Sequence, residues 1–217
     1  MRLRLPLVHQ GNRLVAAVAG GVLIVALYLL PSRLQLFPVI TLDRSFIDAW
    51  VPFLQWTIWF YISEYPFMFL AVWLGTDNGE RSRLFYAFIL VAAIGLVIFI
   101  LWPTAVARES PGSDGLTGLL WRWLYNVDTP ANALPSLHVA NTYLAGARLR
   151  RLGSVWRVIA PAWAVSIVVS TLTTKQHYAI DIAGGIALAA VCFILVRVGV
   201  RFGDVARGTR FGSSTAP

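Results

Sequence analysis

Cysteine is nearly absent from this chain: Cys192 is the single one in 217 residues, and it stands in an apolar run. A lone thiol excludes an intrachain disulfide framework and a thiolate metal site. Charge is scarce as well. Only 13% of the residues are charged while 58% are hydrophobic, against about a quarter charged in an average soluble domain. Mean hydropathy is +0.69. These deficits exclude a soluble globular domain and predict an all-α fold, a polytopic membrane bundle whose backbone is satisfied within its helices. Lysine is as rare as cysteine, Lys175 being alone among eighteen basic residues, and histidine occurs three times.

The few charges are one-sided, with a formal net charge of +8. Such a balance can mark nucleic-acid binding, but here the basic residues punctuate the ends of apolar runs and form no patch. That distribution writes membrane topology. The expected partner is therefore the lipid bilayer and not nucleic acid.

Apolar runs at residues 14–30, 51–75, 84–102, 135–147, 158–172 and 180–200 predict six transmembrane helices. They form one membrane domain, 14–200, between a basic leader (1–13) and a short tail (201–217) without regular structure. The run at 135–147 carries the weakest hydropathy. The polar stretch 103–134 interrupts the series, and within it Leu116–Tyr125, with Trp121, Trp123 and Tyr125, predicts an amphipathic helix lying in the interface. With the N-terminus inside, the inner segments hold thirteen basic residues and the outer segments five. The positive-inside rule then places both termini in the cytoplasm. In a bacterial cell the protein would lie in the cytoplasmic (inner) membrane, with the polar clusters described next on its outer side.

Two histidines stand in polar clusters at the ends of apolar runs, where ionisable groups rarely occur without a role. The first cluster is Pro135-Ser136-Leu137-His138. Proline suits a first helical turn, so the fourth span would open with free backbone N–H groups and a positive dipole end, a natural cradle for phosphate. The second is Lys175-Gln176-His177-Tyr178-Ala179-Ile180-Asp181. A four-residue spacing would put His177 and Asp181 on one helix face, where the carboxylate fixes one imidazole nitrogen and frees the other to attack. Lys175 would offset phosphate charge. For either cluster alone, a packed histidine or a pairing that lowers the cost of burial is as good a reading.

Taken together, the clusters resemble the type 2 phosphatidic acid phosphatase superfamily, which includes the sphingomyelin and inositol phosphorylceramide synthases. The family's Pro-Ser-Gly-His motif is matched by residues 135–138, with leucine in place of glycine. Its Ser-Arg, five residues, His, three residues, Asp motif is matched in spacing by Ser170-Thr171, His177 and Asp181, without the arginine. The run from His177 to Asp181 looks most like the synthase branch. The first family motif, Lys, six residues, Arg-Pro, is absent; Pro103–Arg108 looks like its degenerate form and leaves Arg108 as phosphate ligand. The resemblance covers about residues 50–200 and implies a metal-independent lipid-phosphate phosphatase or phosphotransferase. His177 would be the nucleophile, giving a phosphohistidine, with Asp181 orienting it and His138 as general acid and base. Arg108, Ser136 and Lys175 would hold the phosphate, and no cofactor or metal is called for.

Other features have quieter readings. Glu64, in mid-span, is better read as a buried structural hydrogen bond than as a group tuning the pocket, and Gly184-Gly185 as close helix packing. Competing functions are a bis-histidine haem protein using His138 and His177 and a transporter relaying protons through Asp181 and Glu64. Neither accounts for Ser136, Lys175 and the His–Asp spacing together.

Overall fold

The computed structural model describes residues 3–34, 36–112, 115–128 and 130–203. The chain begins with β1 (Leu3–Pro6), α1 (Arg13–Arg33), β2 (Ile40–Thr41) and α2 (Phe46–Trp50), then α3 (Ile58–Ile62), α4 (Glu64–Trp73) and α5 (Asn78–Leu101). It continues through β3 (Thr104–Ala105), α6 (Gly115–Val127), α7 (Leu137–Leu149), α8 (Ser154–Thr173), α9 (Ala179–Gly199) and β4 (Val200–Gly203). Among the described residues four helices are long and apolar enough to cross a membrane: α1, α5, α8 and α9.

The other two expected spans take a different form. The run 51–75 is divided, with α3 ending at Ile62 and α4 beginning at Glu64. Pro66, in the first turn of α4, has no N–H to continue the ladder from α3, so the helix breaks there. The segment expected as the fourth span is the thirteen-residue α7, packed on four sides by α4, α5, α8 and α9. Phe67, Val91, Ala140, Leu144, Ile167 and Cys192 belong to the core around it. Because α7 is enclosed by protein, it can carry His138, Asn141 and Thr142 buried, which is why its hydropathy is low. α1 is its opposite, a long apolar helix with most of its surface left for lipid, packed chiefly on α5.

Residues 201–203, expected as part of a tail without regular structure, are strand. β4 pairs in parallel with β1, Leu3 facing Val200 and Pro6 facing Gly203; residues 204–217 lie outside the described residues. The segment expected to lie in the interface is helical, as α6, but Trp121 faces protein. It is buried against Ile58 and Tyr61, its Nε1 donating to Gln55 O at 3.0 Å.

The two ends of the bundle differ in chemistry. At one end Arg13 donates to Trp73 O (3.1 Å), Arg81 is buried and donates to Val72 O (2.9 Å), and Arg197 reaches Glu80 (3.3 Å). At the other meet the starts of α4, α7 and α9 and the ends of α5 and α8. The segment after α5 is bracketed there: β3 pairs in parallel with β2, and Thr104 O accepts from Ala133 N at 2.9 Å.

Candidate active site

Ser136 caps α7, its Oγ accepting from Val139 N at 3.2 Å. Pro135 therefore lies one residue outside the cap, not in the first turn, and one of the N–H groups expected to await phosphate is already taken. His138, two residues past the cap, meets the break between α3 and α4. Its Nδ1 lies 2.5 Å from Glu64 Oε2, its Nε2 lies 2.8 Å from Tyr61 O, and its ring stacks on that of Tyr61 at 4.0 Å. A carbonyl only accepts, so Nε2 carries a hydrogen, and Nδ1 faces the Glu64 carboxyl. The helix break has a purpose in this geometry: it releases Tyr61 O from the helical ladder and begins α4 with the carboxylate.

His177 is not helical. α9 starts at Ala179, so the one-face argument from four-residue spacing gives way to a capped loop. Lys175 takes φ 55°, the left-handed conformation that closes a helix C-terminus, and Gln176 N and His177 N both donate to Thr171 O at 3.1 Å. That closure sets His177 beside the next helix. Its Nδ1 stands 3.4 Å from Asp181 Oδ2, an ion-pair distance too loose and misaligned for a hydrogen bond, while the same oxygen accepts from Tyr178 N at 2.8 Å. Asp181 is fully buried, and its Oδ1 has no hydrogen-bond partner among the described residues.

A small polar recess opens between these parts. His177, Arg108 and Gln176 line it, together with Asp128, Asn132 and Tyr28; Tyr61 supplies a further wall. Arg108 is held by Asp128, Nη1 donating to the backbone carbonyl at 3.0 Å and Nη2 to Oδ2 at 2.7 Å, with the guanidinium 4.8 Å over the Tyr125 ring. The structure thus brings His177 and Arg108 to one cavity. It does not bring His138, Ser136 or Lys175 to its wall; His138 adjoins it through Tyr61.

Ser136 and Asp181 join the two histidine segments, Ser136 N donating to Asp181 O at 3.1 Å. Their approach depends on Gly185, where any Cβ would run into Ser136 O and lie 3.1 Å from Val139 Cβ. Lys175 Nζ is committed elsewhere, donating to Asp48 O at 2.8 Å and to Val51 O. Burial, and then Arg44, hold its ammonium below the usual lysine range. Asp48 in turn accepts from Ala179 N at 2.8 Å, so α2 is locked over the start of α9.

The sequence model of the PAP2 superfamily matches residues 25–195. The chain belongs to that superfamily. Neither the curated proteins nor the solved structures give a significant match. Membership in the PAP2 superfamily supports a phosphatase-type function on lipids. Within that frame the sequence reading missed Asp128, Asn132 and Tyr28 at the recess. The signal for Asp128 was weak, an acid in a polar stretch with no motif; Tyr28 is one of several aromatic residues near a span end. Glu64 was seen, and its partner was not.

Proposed function

We propose that this PAP2 superfamily member is an integral-membrane lipid-phosphate phosphatase acting through a phosphohistidine. His177 Nε2 attacks phosphorus in line, the bond to the lipid oxygen breaks, and the leaving alkoxide takes a proton from His138. Water then attacks the phosphohistidine, His138 removes its proton, and inorganic phosphate leaves. Asp181, beside Nδ1, fixes the ring and stabilises its positive charge. Such acid–base help is worth about 10²–10⁴ in rate. Arg108 holds the equatorial oxygens, where most stabilisation of phosphoryl transfer lies. In the resting arrangement His138 Nε2–H is engaged with Tyr61 O, so substrate must draw it from that carbonyl; apo sites commonly tighten only on binding. Ser136 supports the site through the α7 cap and Lys175 through the loop that carries His177, rather than by touching phosphate.

The observation that carries the reading is His177, backed by Asp181, sharing a cavity with Arg108. Six crossings, with α3–α4 and α7 as the short ones, and the arginine-rich end in the cytoplasm would put the cavity on the outer side. An alcohol acceptor in place of water would make the same residues a head-group phosphotransferase, and the synthase-like His177–Asp181 run favours keeping that second reading.

The test is phosphate release from phosphatidic acid, polyprenyl pyrophosphate and phosphatidylglycerol phosphate, with trapping of acid-labile protein-bound phosphate. Wild type should release phosphate and trap label, and His177→Ala should do neither. Turnover only with an added alcohol would select the transferase. Label retained in His177→Ala would end the proposal. Run on sealed vesicles of known orientation, the same assay reads the side of the site.

A further inference from the structure

Arg108 presents a problem that the phosphatase reading leaves open. A guanidinium only 20% exposed at the edge of a membrane bundle is costly unless paired, yet a phosphate ligand must keep donors available. The recess resolves this with residues that no sequence motif marks. Asp128 takes two of the five guanidinium N–H groups, one on its backbone carbonyl and one on its carboxylate. Among the described residues the other three make no hydrogen bond. Asp128 is itself anchored from behind, its Oδ1 accepting from Tyr28 OH and from Asn132 Nδ2 at 3.2 Å.

We propose that Asp128 is the positioning residue for Arg108, and that Tyr28, reaching in from the otherwise lipid-facing α1, pins Asp128 in place. This deepens the phosphatase reading and rests on it. The alternative is a latch, in which the Asp128 carboxylate occupies the phosphate position and substrate must expel it. A latch should be held loosely. Here Tyr28, Asn132 and Arg108 all donate to the carboxylate, and Arg108 is held a second time at the backbone carbonyl, so the carboxylate stays while phosphate takes the remaining donors of Arg108. The bonds of Asp128 hold one charge in one orientation, and the rate benefits because Arg108 need not reorganise in the transition state.

The two readings move the same measurement in opposite directions. The full-length enzyme in detergent is assayed on short-chain phosphatidic acid, with orthovanadate as a probe of the phosphate position. Asp128→Ala and Asp128→Asn should lower kcat/KM about 10- to 100-fold and weaken vanadate inhibition, with Tyr28→Phe losing about 2- to 5-fold. In an Arg108→Ala background both losses should vanish, which a merely structural role would not produce. Tighter vanadate binding in Asp128→Asn would establish the latch and overturn the proposal, as would losses that multiply with that of Arg108→Ala. If Asp128→Ala fails to fold, Tyr28→Phe still decides, because it removes one hydroxyl and leaves the packing ring. Inactive wild type would overturn the phosphatase reading and this role with it; an active wild type with independent losses would overturn this role alone.

Discussion

His138 and His177 each have a carboxylate at Nδ1, but their surroundings differ. His138 is clamped: Glu64 at 2.5 Å on one nitrogen, a backbone carbonyl at 2.8 Å on the other, and a tyrosine ring stacked on its face. His177 lines the recess with one loose contact, at 3.4 Å, to Asp181. A nucleophile needs an uncommitted nitrogen facing the substrate site, whereas an acid–base group needs a proton held at a defined place. The roles proposed for them follow this division. Each carboxylate also has a second task in the fold, Glu64 opening α4 after the break and Asp181 capping Tyr178 N at the head of α9.

The largest effects come from breaking each carboxylate in turn. Asp181→Asn and Glu64→Gln should each lower kcat on an alkyl phosphate by about 10²–10³, within the range of acid–base and orienting groups. Leaving-group chemistry separates them. On a nitrophenyl phosphate ester, whose leaving group needs no proton, the Glu64→Gln loss in phosphoenzyme formation should shrink to about tenfold or less, because His138 serves as the acid there. The Asp181→Asn loss should persist. Equal shrinkage for both variants would show that the two histidines are not specialised in this way.

A middle-sized effect tests the joint between them. Gly185 lets α9 approach the first turn of α7 so closely that a methyl group would meet Ser136 O, a backbone atom that cannot swing aside. Gly185→Ala should cost about 1–3 kcal/mol through overpacking, more than the helix propensity of alanine returns. Gly184→Ala should cost less, since its methyl would meet the flexible end of Leu134 at 2.8 Å. Thermal unfolding in detergent ranks them, and the reverse order would refute the packing account.

What could be read from the chain follows the same division. The four long spans were legible because lipid-facing helices must be apolar along their whole length. α7 was nearly hidden because protein, not lipid, surrounds it, and the break after α3 was legible only through Pro66. The pairing of His177 with Asp181 was legible from spacing, but its cause was not. A left-handed residue at Lys175 turns the chain so that a non-helical histidine meets a helix-capping acid, and spacing rules assume continuous helix. The partners of Arg108 were illegible, since Tyr28 and Asp128 are a hundred residues apart and no local pattern joins them.

The smallest effect concerns the cover over the start of α9, which holds the His177 segment and not the His138 segment. Burial pushes the Asp48 carboxyl up, but hydrogen bonds from Ser45 and Ala179 outweigh it and leave the group below the ordinary carboxylate range. A carboxylate lowered by folding contributes stability that is whole above its unfolded value, about 3.9, and is lost as pH falls through the folded value. Asp48→Asn should therefore unfold earlier than wild type at pH 6, by about 1 kcal/mol as for one buried hydrogen-bonded group. That gap should narrow as the pH is taken below about 4, where wild type also loses the charge. A gap of constant size from pH 6 to pH 3 would mean that Asp48 acts by shape alone. In that case acid should not loosen α2 from the head of α9, and the two histidine segments would respond alike.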